Sequence, residues 1–267
     1  MKKLIFSAIM AVLALCLPAS AEGAARTVPV QVDGAALEGA AYLDGGVTYA
    51  PLRDLLEAMG GWTVRWDGGT GTAAAESQCG TLRLTADPDR DTLTLNGETR
   101  PAAVTVLEGR TYVPLRLTAE ALGGSAAWDP WMGGAAVTTA GAEHDAVDYY
   151  WLSRIIYAES GAESLEGQMA VGSVVLNRVE SEDFPDSIPA VIFEGAGEDV
   201  VQFEPVANGM VYQAPSDQAM EAARRVLAGE TTAGDSLYFY APALSQGAWI
   251  NASRTYELTI GCHRFYS

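Results

Sequence analysis

Lysine is missing after Lys3, histidine occurs only at His144 and His263, and cysteine only at Cys16, Cys79 and Cys262. Each shortage closes a class of function. With 16 basic residues against 34 acidic ones, the formal net charge is −18. No basic surface is left to neutralise a phosphate backbone, which argues against nucleic acid or any densely anionic partner. Two histidines and three cysteines, none spaced as a zinc finger requires and too few cysteines for an iron–sulfur cluster, leave almost no means of building a histidine-rich metal centre. No metal or organic cofactor is expected. The length of 267 residues allows about two domains.

The sequence opens with Lys2 and Lys3, an apolar run from Leu4 to Leu17, Pro18, and the small residues Ala19-Ser20-Ala21. This order predicts a secretory signal peptide over residues 1–21, because the apolar run is shorter than the roughly 20 residues needed to span a bilayer. Cleavage after Ala21 leaves 14 arginines against 34 acids, a charge of −20 with no lysine. The mature protein is expected outside the cytoplasmic membrane, without an integral membrane segment. Cys79 and Cys262 remain, and one pair is not a disulfide framework. Small buried apolar side chains are the expectation for both.

A repeat organises residues 22–141. Val47-Thr48-Tyr49-Ala50-Pro51-Leu52-Arg53, Leu56-Glu57-Ala58-Met59-Gly60-Gly61 and Trp66-Asp67 return as Arg110-Thr111-Tyr112-Val113-Pro114-Leu115-Arg116, Ala119-Glu120-Ala121-Leu122-Gly123-Gly124 and Trp128-Asp129. Each copy predicts a strand, proline at a helix start, a helix closed by glycine, and a second strand carrying the tryptophan. The tryptophans are expected in the core and the aspartates in turn caps. Between the copies, Thr81 to Thr85 and Thr92 to Leu95 alternate with period two, and Asn96-Gly97 predicts a hairpin turn. These tandem elements resemble the copper amine oxidase N-terminal-like domain, a stalk module. Copper itself is excluded, since residues 22–141 contain no histidine and one cysteine. The resemblance implies a spacing or wall-associating role.

The small residues Thr138 to Ala142 predict a linker, and a helix follows. Val147, Trp151 and Ile155, with Leu152 and Ile156 beside them, form one apolar face, and Glu159 continues that stripe. A carboxylate at the C-terminal end of an apolar face is disfavoured as an anion by desolvation and by the helix dipole. Its pKa should rise, as a general acid requires. The alternative is a glutamate that frays into solvent where Ser160-Gly161 ends the helix.

Around this helix stand Ile156-Tyr157-Ala158-Glu159, Glu166 to Val171, Val174 to Arg178, Phe184-Pro185, Gln202-Phe203-Glu204-Pro205-Val206, Leu237-Tyr238-Phe239-Tyr240, Trp249-Ile250 and Ile260-Gly261-Cys262-His263-Arg264-Phe265. In this order they resemble the catalytic domain of the spore cortex-lytic, SleB-type cell wall hydrolases over residues 142–267. The resemblance implies an α+β chain of two domains, a pseudo-repeat α/β stalk followed by a small lysozyme-like α+β catalytic domain. It also implies cleavage of the MurNAc–GlcNAc glycan strands of peptidoglycan by lytic transglycosylation, with Glu159 as the one catalytic acid. A hydrolytic muramidase, or a non-catalytic wall-binding or spore-coat protein, are the alternatives.

Tyr238, Tyr240 and Trp249 are the expected sugar platforms, since period two puts both tyrosines on one strand face. Gln202 and Phe203 match a motif beside the glutamate, Tyr157, Gln168 and Asn177 are candidate orienting groups, and His263 sits in the terminal element. Glu204 is the first choice for a second carboxylate if one is needed. The chain departs from the family pattern at Tyr240-Ala241-Pro242, where Tyr-Asn-Pro is common, and at Gly247-Ala248, where a basic residue is common.

Overall fold

The computed structural model describes residues 25–198 and 200–267, so the expected leader over residues 1–21 lies outside the described residues. The first domain begins with β1 (Arg26–Val28), β2 (Val30–Val32), β3 (Ala35–Ala36), β4 (Ala41–Asp44), β5 (Val47–Pro51) and α1 (Leu52–Ala58). There follow β6 (Trp62–Asp67), β7 (Thr72–Ser77), β8 (Arg83–Asp87), β9 (Thr92–Leu95) and β10 (Glu98–Pro101). The second copy supplies β11 (Thr105–Leu107), β12 (Arg110–Pro114), α2 (Leu115–Ala121), β13 (Ser125–Asp129) and β14 (Gly134–Thr138).

Three sheets result, ordered β1-β4-β5-β12-β11, β10-β9-β8-β7-β6 and β13-β14-β2-β3. The two copies meet at β5 and β12, which pair antiparallel with Ala50 opposite Val113, so a pseudo-dyad runs between them. Pro51 and Pro114 sit at the helix N-caps, where a missing N–H removes nothing the helix needs. Leu52, Leu55 and Leu56 in one copy, and Leu115 and Ala119 in the other, turn inward. Asn96 and Gly97 both have positive φ and join β9 to β10 in the two-residue turn their identities predict.

The Trp-Asp pairs divide into two roles. Asp67 accepts from the N–H groups of Gly69 and Thr70, and Asp129 from those of Trp131 and Met132, so both aspartates cap turns. The tryptophans do not fill the core, in contrast to the sequence expectation. Trp66 is 51% exposed and Trp128 39%, each near the end of a strand at the domain surface.

The second domain contains α3 (Ala146–Ser160), α4 (Leu165–Glu180), α5 (Ile188–Ile192), α6 (Glu204–Asn208), a 3-10 turn at Met210–Tyr212 and α7 (Asp217–Leu227). It ends with β15 (Tyr238–Tyr240), α8 (Ala248–Ser253), β16 (Tyr256–Ile260) and β17 (His263–Tyr266), in sheet order β15-β17-β16. Asp145, Ser164 and Ser216 cap α3, α4 and α7 through side-chain acceptors. A Cβ at Gly172 would stand 2.8 Å from Ile156 and 3.3 Å from Val226, so glycine sets how closely α3, α4 and α7 approach.

The predicted linker is not free chain. The backbone N–H and hydroxyl of Thr139 donate to Asp33 at 2.8 and 2.6 Å, and Gln31 donates to the Ala146 carbonyl at 3.0 Å. Further contacts join the domains: the Trp151 indole N–H donates to Asp129 at 2.6 Å, and Trp131 stacks on Phe193 with centroids 4.3 Å apart. Cys79 and Cys262 are unpaired and exposed, unlike the buried side chains expected, because each sits in a turn at a domain surface. Among the described residues, no helix is long and apolar enough to cross a membrane.

Candidate active site

Helix α3 presents Trp151, Leu152, Ile155 and Ile156 to the core with no exposed area, and Glu159 follows in its last turn. The carboxyl is half-buried at the end of that apolar stripe rather than frayed into solvent. Burial pushes its pKa from 4.5 up to about 7; the negative charge of Glu204 pushes the same way, and the positive charge of Arg178 opposes both. An acid of this kind holds its proton near neutrality and can still give it up.

The counter-charge was not among the residues singled out from sequence. Arg178, in the last turn of α4, is 5% exposed, and its Nε donates to the Leu237 carbonyl at 2.8 Å. Its guanidinium lies 4.8 Å from the Phe184 ring centroid, 5.1 Å from that of Phe203 and 5.6 Å from that of Tyr238. Desolvation lowers its pKa, and the charges of Tyr238, Glu194 and Glu159 pull it back up. Aromatic faces thus supply part of the solvation that water would give a buried cation. The one sequence signal was an arginine beside Asn177 on a helix otherwise apolar over that turn.

Tyr238 stands at this cation with its hydroxyl accepting from Arg254 at 2.8 Å and its ring edge-on to Trp249, 5.7 Å between centroids. Trp249 on α8 is 59% exposed, and Arg254 lies against both rings. Gln202 is exposed, with its Oε1 3.5 Å from Arg178 Nη1. Glu204, exposed at the first position of α6, comes close enough for its charge to act on Glu159. Tyr157 is half-buried two residues before Glu159, its ring against Gly161, where a Cβ would fall 2.7 Å from the Tyr157 carbonyl oxygen.

Five of the residues singled out are held by partners within the fold. Phe203 is 2% exposed and packs beside Phe239, so it supports the site from below and offers no face to a ligand. Gln168 is fully buried, and its amide donates to the carbonyls of Gly161 and Glu163, fixing the connection that follows Glu159. Asn177 spends its amide on the carbonyls of Gly234 and Ser236 at 2.8 and 2.9 Å, anchoring the approach to β15. His263 lies edge-on to Phe239 at 8% exposure, and burial lowers its pKa. Tyr240 shares the tyrosine face of β15, but its hydroxyl bonds Asn251 and its ring stacks on Tyr266, so it braces α8. Phe239, between the two tyrosines, points into the core.

Both halves of the chain are similar to known proteins. Residues 162–266 match the family described as Cell Wall Hydrolase, and residues 31–137 match the Copper amine oxidase N-terminal domain. Glu159 precedes the first match by three residues. A spore cortex-lytic enzyme of Oceanobacillus iheyensis is 36% identical over 118 residues, covering 44% of this chain and 41% of that protein. The cell wall hydrolase CwlJ of the same organism is 30% identical over 106 residues, 38% of this chain and 72% of that one. Among solved structures, the catalytic domain of the germination-specific lytic transglycosylase SleB from Bacillus anthracis is 33% identical, with a TM-score of 0.42, covering 47% of this chain and 98% of that chain. The chain spans between 32% and 43% of the length of the curated spore cortex-lytic relatives it matches.

Proposed function

Because the chain belongs to the cell wall hydrolase family, we propose that it cleaves the MurNAc–GlcNAc glycan of peptidoglycan outside the cytoplasmic membrane, by lytic transglycosylation with Glu159 as the one acid–base group. The observation that carries this reading is a half-buried carboxyl whose pKa is pushed up to about 7 by burial and by Glu204. Protonated Glu159 donates to the glycosidic oxygen, and the bond from that oxygen to MurNAc C1 breaks. The positive charge that develops on the sugar meets the carboxylate now formed, with Glu204 nearby. Glu159 then takes the proton of the MurNAc 6-hydroxyl as that oxygen attacks C1, closing a 1,6-anhydro ring and returning the acid to its starting state. No water is consumed.

Arg178 limits how far the pKa of Glu159 rises, since its charge favours the anion formed between the two steps. Tyr238 and Trp249 offer apolar faces for neighbouring sugars beside this acid, and Gln202 offers an amide. The first domain is assigned to association with the wall.

One observation favours a second reading. Glu204 is near enough to act on Glu159, and a carboxylate in that position could activate water and make the protein a muramidase. The two readings differ in product by one water molecule. Purified sacculi are digested with the mature protein and with Glu159→Gln, and the released muropeptides are weighed. Anhydro ends from the parent alone support the transglycosylase; hydrated reducing ends support the muramidase; equal release by both proteins removes Glu159 from the chemistry.

A further inference from the structure

The first domain holds two clefts that correspond element by element under its pseudo-dyad. One, of about 700 Å³, is walled by the start of α1 at Pro51 to Asp54, by Val64 to Trp66 of β6, by Ala73 of β7 and by Gly109 to Thr111 around the start of β12. The other, of about 600 Å³, is walled by the start of α2 at Pro114 to Leu117, by Ala126 to Trp128 of β13, by Ala135 of β14 and by Val47 to Tyr49 of β5. The helix start, the two strands after it and the strand from the other copy correspond between the clefts, and the second is bounded in addition by Pro101 to Ala103. Each has a floor of buried apolar residues, Leu52 or Leu115, and each is edged by one of the exposed tryptophans.

Arginine outnumbers acid at the first cleft, with Arg53, Arg65 and Arg110 against Asp54, and the second sets Arg116 against Glu120 with Arg26 over its tryptophan. The chain carries −18 overall, and the first domain has eight arginines: Arg26, Arg53, Arg65, Arg83, Arg90, Arg100, Arg110 and Arg116. Arg83, Arg90, Arg100 and Arg110 are ion-paired with Glu76, Asp87, Glu98 and Asp54. Among the described residues, the other four form no ion pair, and all four are at the clefts. Arg53 and Arg65 line the first, Arg116 lines the second, and Arg26 lies over the Trp128 ring at 5.6 Å. An exposed indole beside unpaired guanidinium groups, built twice, suits a ligand with a flat apolar face and a carboxylate close to it.

We infer that these are two glycan-binding subsites, each holding a pyranose ring of the peptidoglycan strand against Trp66 or Trp128 with the sugar-borne carboxyl groups toward the adjacent arginines. The apolar C–H face of a pyranose covers the indole, and the stem peptide carried on the lactyl ether of a muramic residue, or the lactyl group itself where the stem is removed, supplies the carboxyl. The assignment rests on the wall-cleaving reading for its choice of polymer and on the clefts for its location. Two subsites on one rigid domain engage one strand or two neighbouring strands together, and so bind far more tightly than either alone.

The test is a binding isotherm of the full mature chain on purified sacculi, in a Glu159→Gln background so that the wall is not consumed. Trp66→Ala and Trp128→Ala are each expected to weaken binding about tenfold or more, and the double variant is expected to abolish saturable binding. Trp66→Phe and Trp128→Phe, which keep a ring, should retain most of it. Far-ultraviolet circular dichroism and the melting temperature check that every variant is folded. Soluble GlcNAc–MurNAc fragments should compete, and the indole N–H resonances of Trp66 and Trp128 should shift on their addition. Binding by the double variant within about twofold of the parent overturns the inference. Competition by free stem peptide instead of the glycan overturns the choice of ligand, and loss from only one tryptophan overturns the paired site. Muropeptide release by the protein with Glu159 intact is scored separately, so failure to cleave and failure of the clefts to bind are told apart.

Discussion

Replacing Glu159 by glutamine should stabilise the protein, and only where the carboxyl would ionise. Raising this group from 4.5 to about 7 costs the folded state about 3 kcal/mol once it is charged. Well below pH 4.5 the carboxyl is protonated in the folded and unfolded chains alike and contributes nothing. Between 4.5 and 7 the unfolded chain loses its proton first, so stability falls as pH rises, and above pH 7 the whole cost is present. Glutamine has the shape of the protonated acid and never ionises. The parent and Glu159→Gln should therefore melt within about 2 °C of each other at pH 4, and about 6–12 °C apart at pH 8.5 with the variant higher, taking roughly 2–4 °C per kcal/mol for a chain of this size. Scanning calorimetry at the two pH values reads the difference. An equal difference at both, or a variant less stable at pH 8.5, refutes the desolvated acid and with it the reasoning that makes Glu159 a proton donor.

The same carboxyl sets a pH profile, with kcat on purified glycan falling through about pH 7 as the acid form is lost. Glu204→Gln removes a like charge, so it should move that falling limb to lower pH; an unmoved limb would separate the two carboxylates. Asp129→Ala leaves the buried Trp151 N–H without its acceptor, and should lower stability by about 1–3 kcal/mol in denaturant titrations of the whole chain. The net charge of −18 predicts that pelleting with wall rich in anionic polymers rises between low and moderate ionic strength as repulsion is screened, and a fall would contradict it.

What could be read in the sequence was what is local. Asn96-Gly97 acts within a few residues of itself, and Glu159 declared itself by riding a helical stripe. Arg178 did not, because its environment is assembled from Phe184, Phe203, Leu237 and Tyr238, which only the tertiary fold brings together. Gln202 and Phe203 share a motif yet face opposite ways, one exposed and one buried, so adjacency in sequence does not say which of the two reaches the surface. His263 and Phe265 lie on the inner side of β17, an orientation set by pairing with β15 and β16. Trp66 and Trp128 were misjudged because hydrophobicity states a preference for burial without stating whether neighbours are present to provide it.

The contact between the two domains has a thermodynamic meaning. Sequence similarity divides the chain into two interchangeable parts, but Asp129 and Trp131 come from one part while Trp151 and Phe193 come from the other. A second domain excised behind residue 141 would carry an indole N–H with its acceptor removed and an aromatic face stripped of its partner. Each part is therefore a component of the other's stability. Heat should melt the chain in one cooperative transition, with a van't Hoff enthalpy belonging to both domains together.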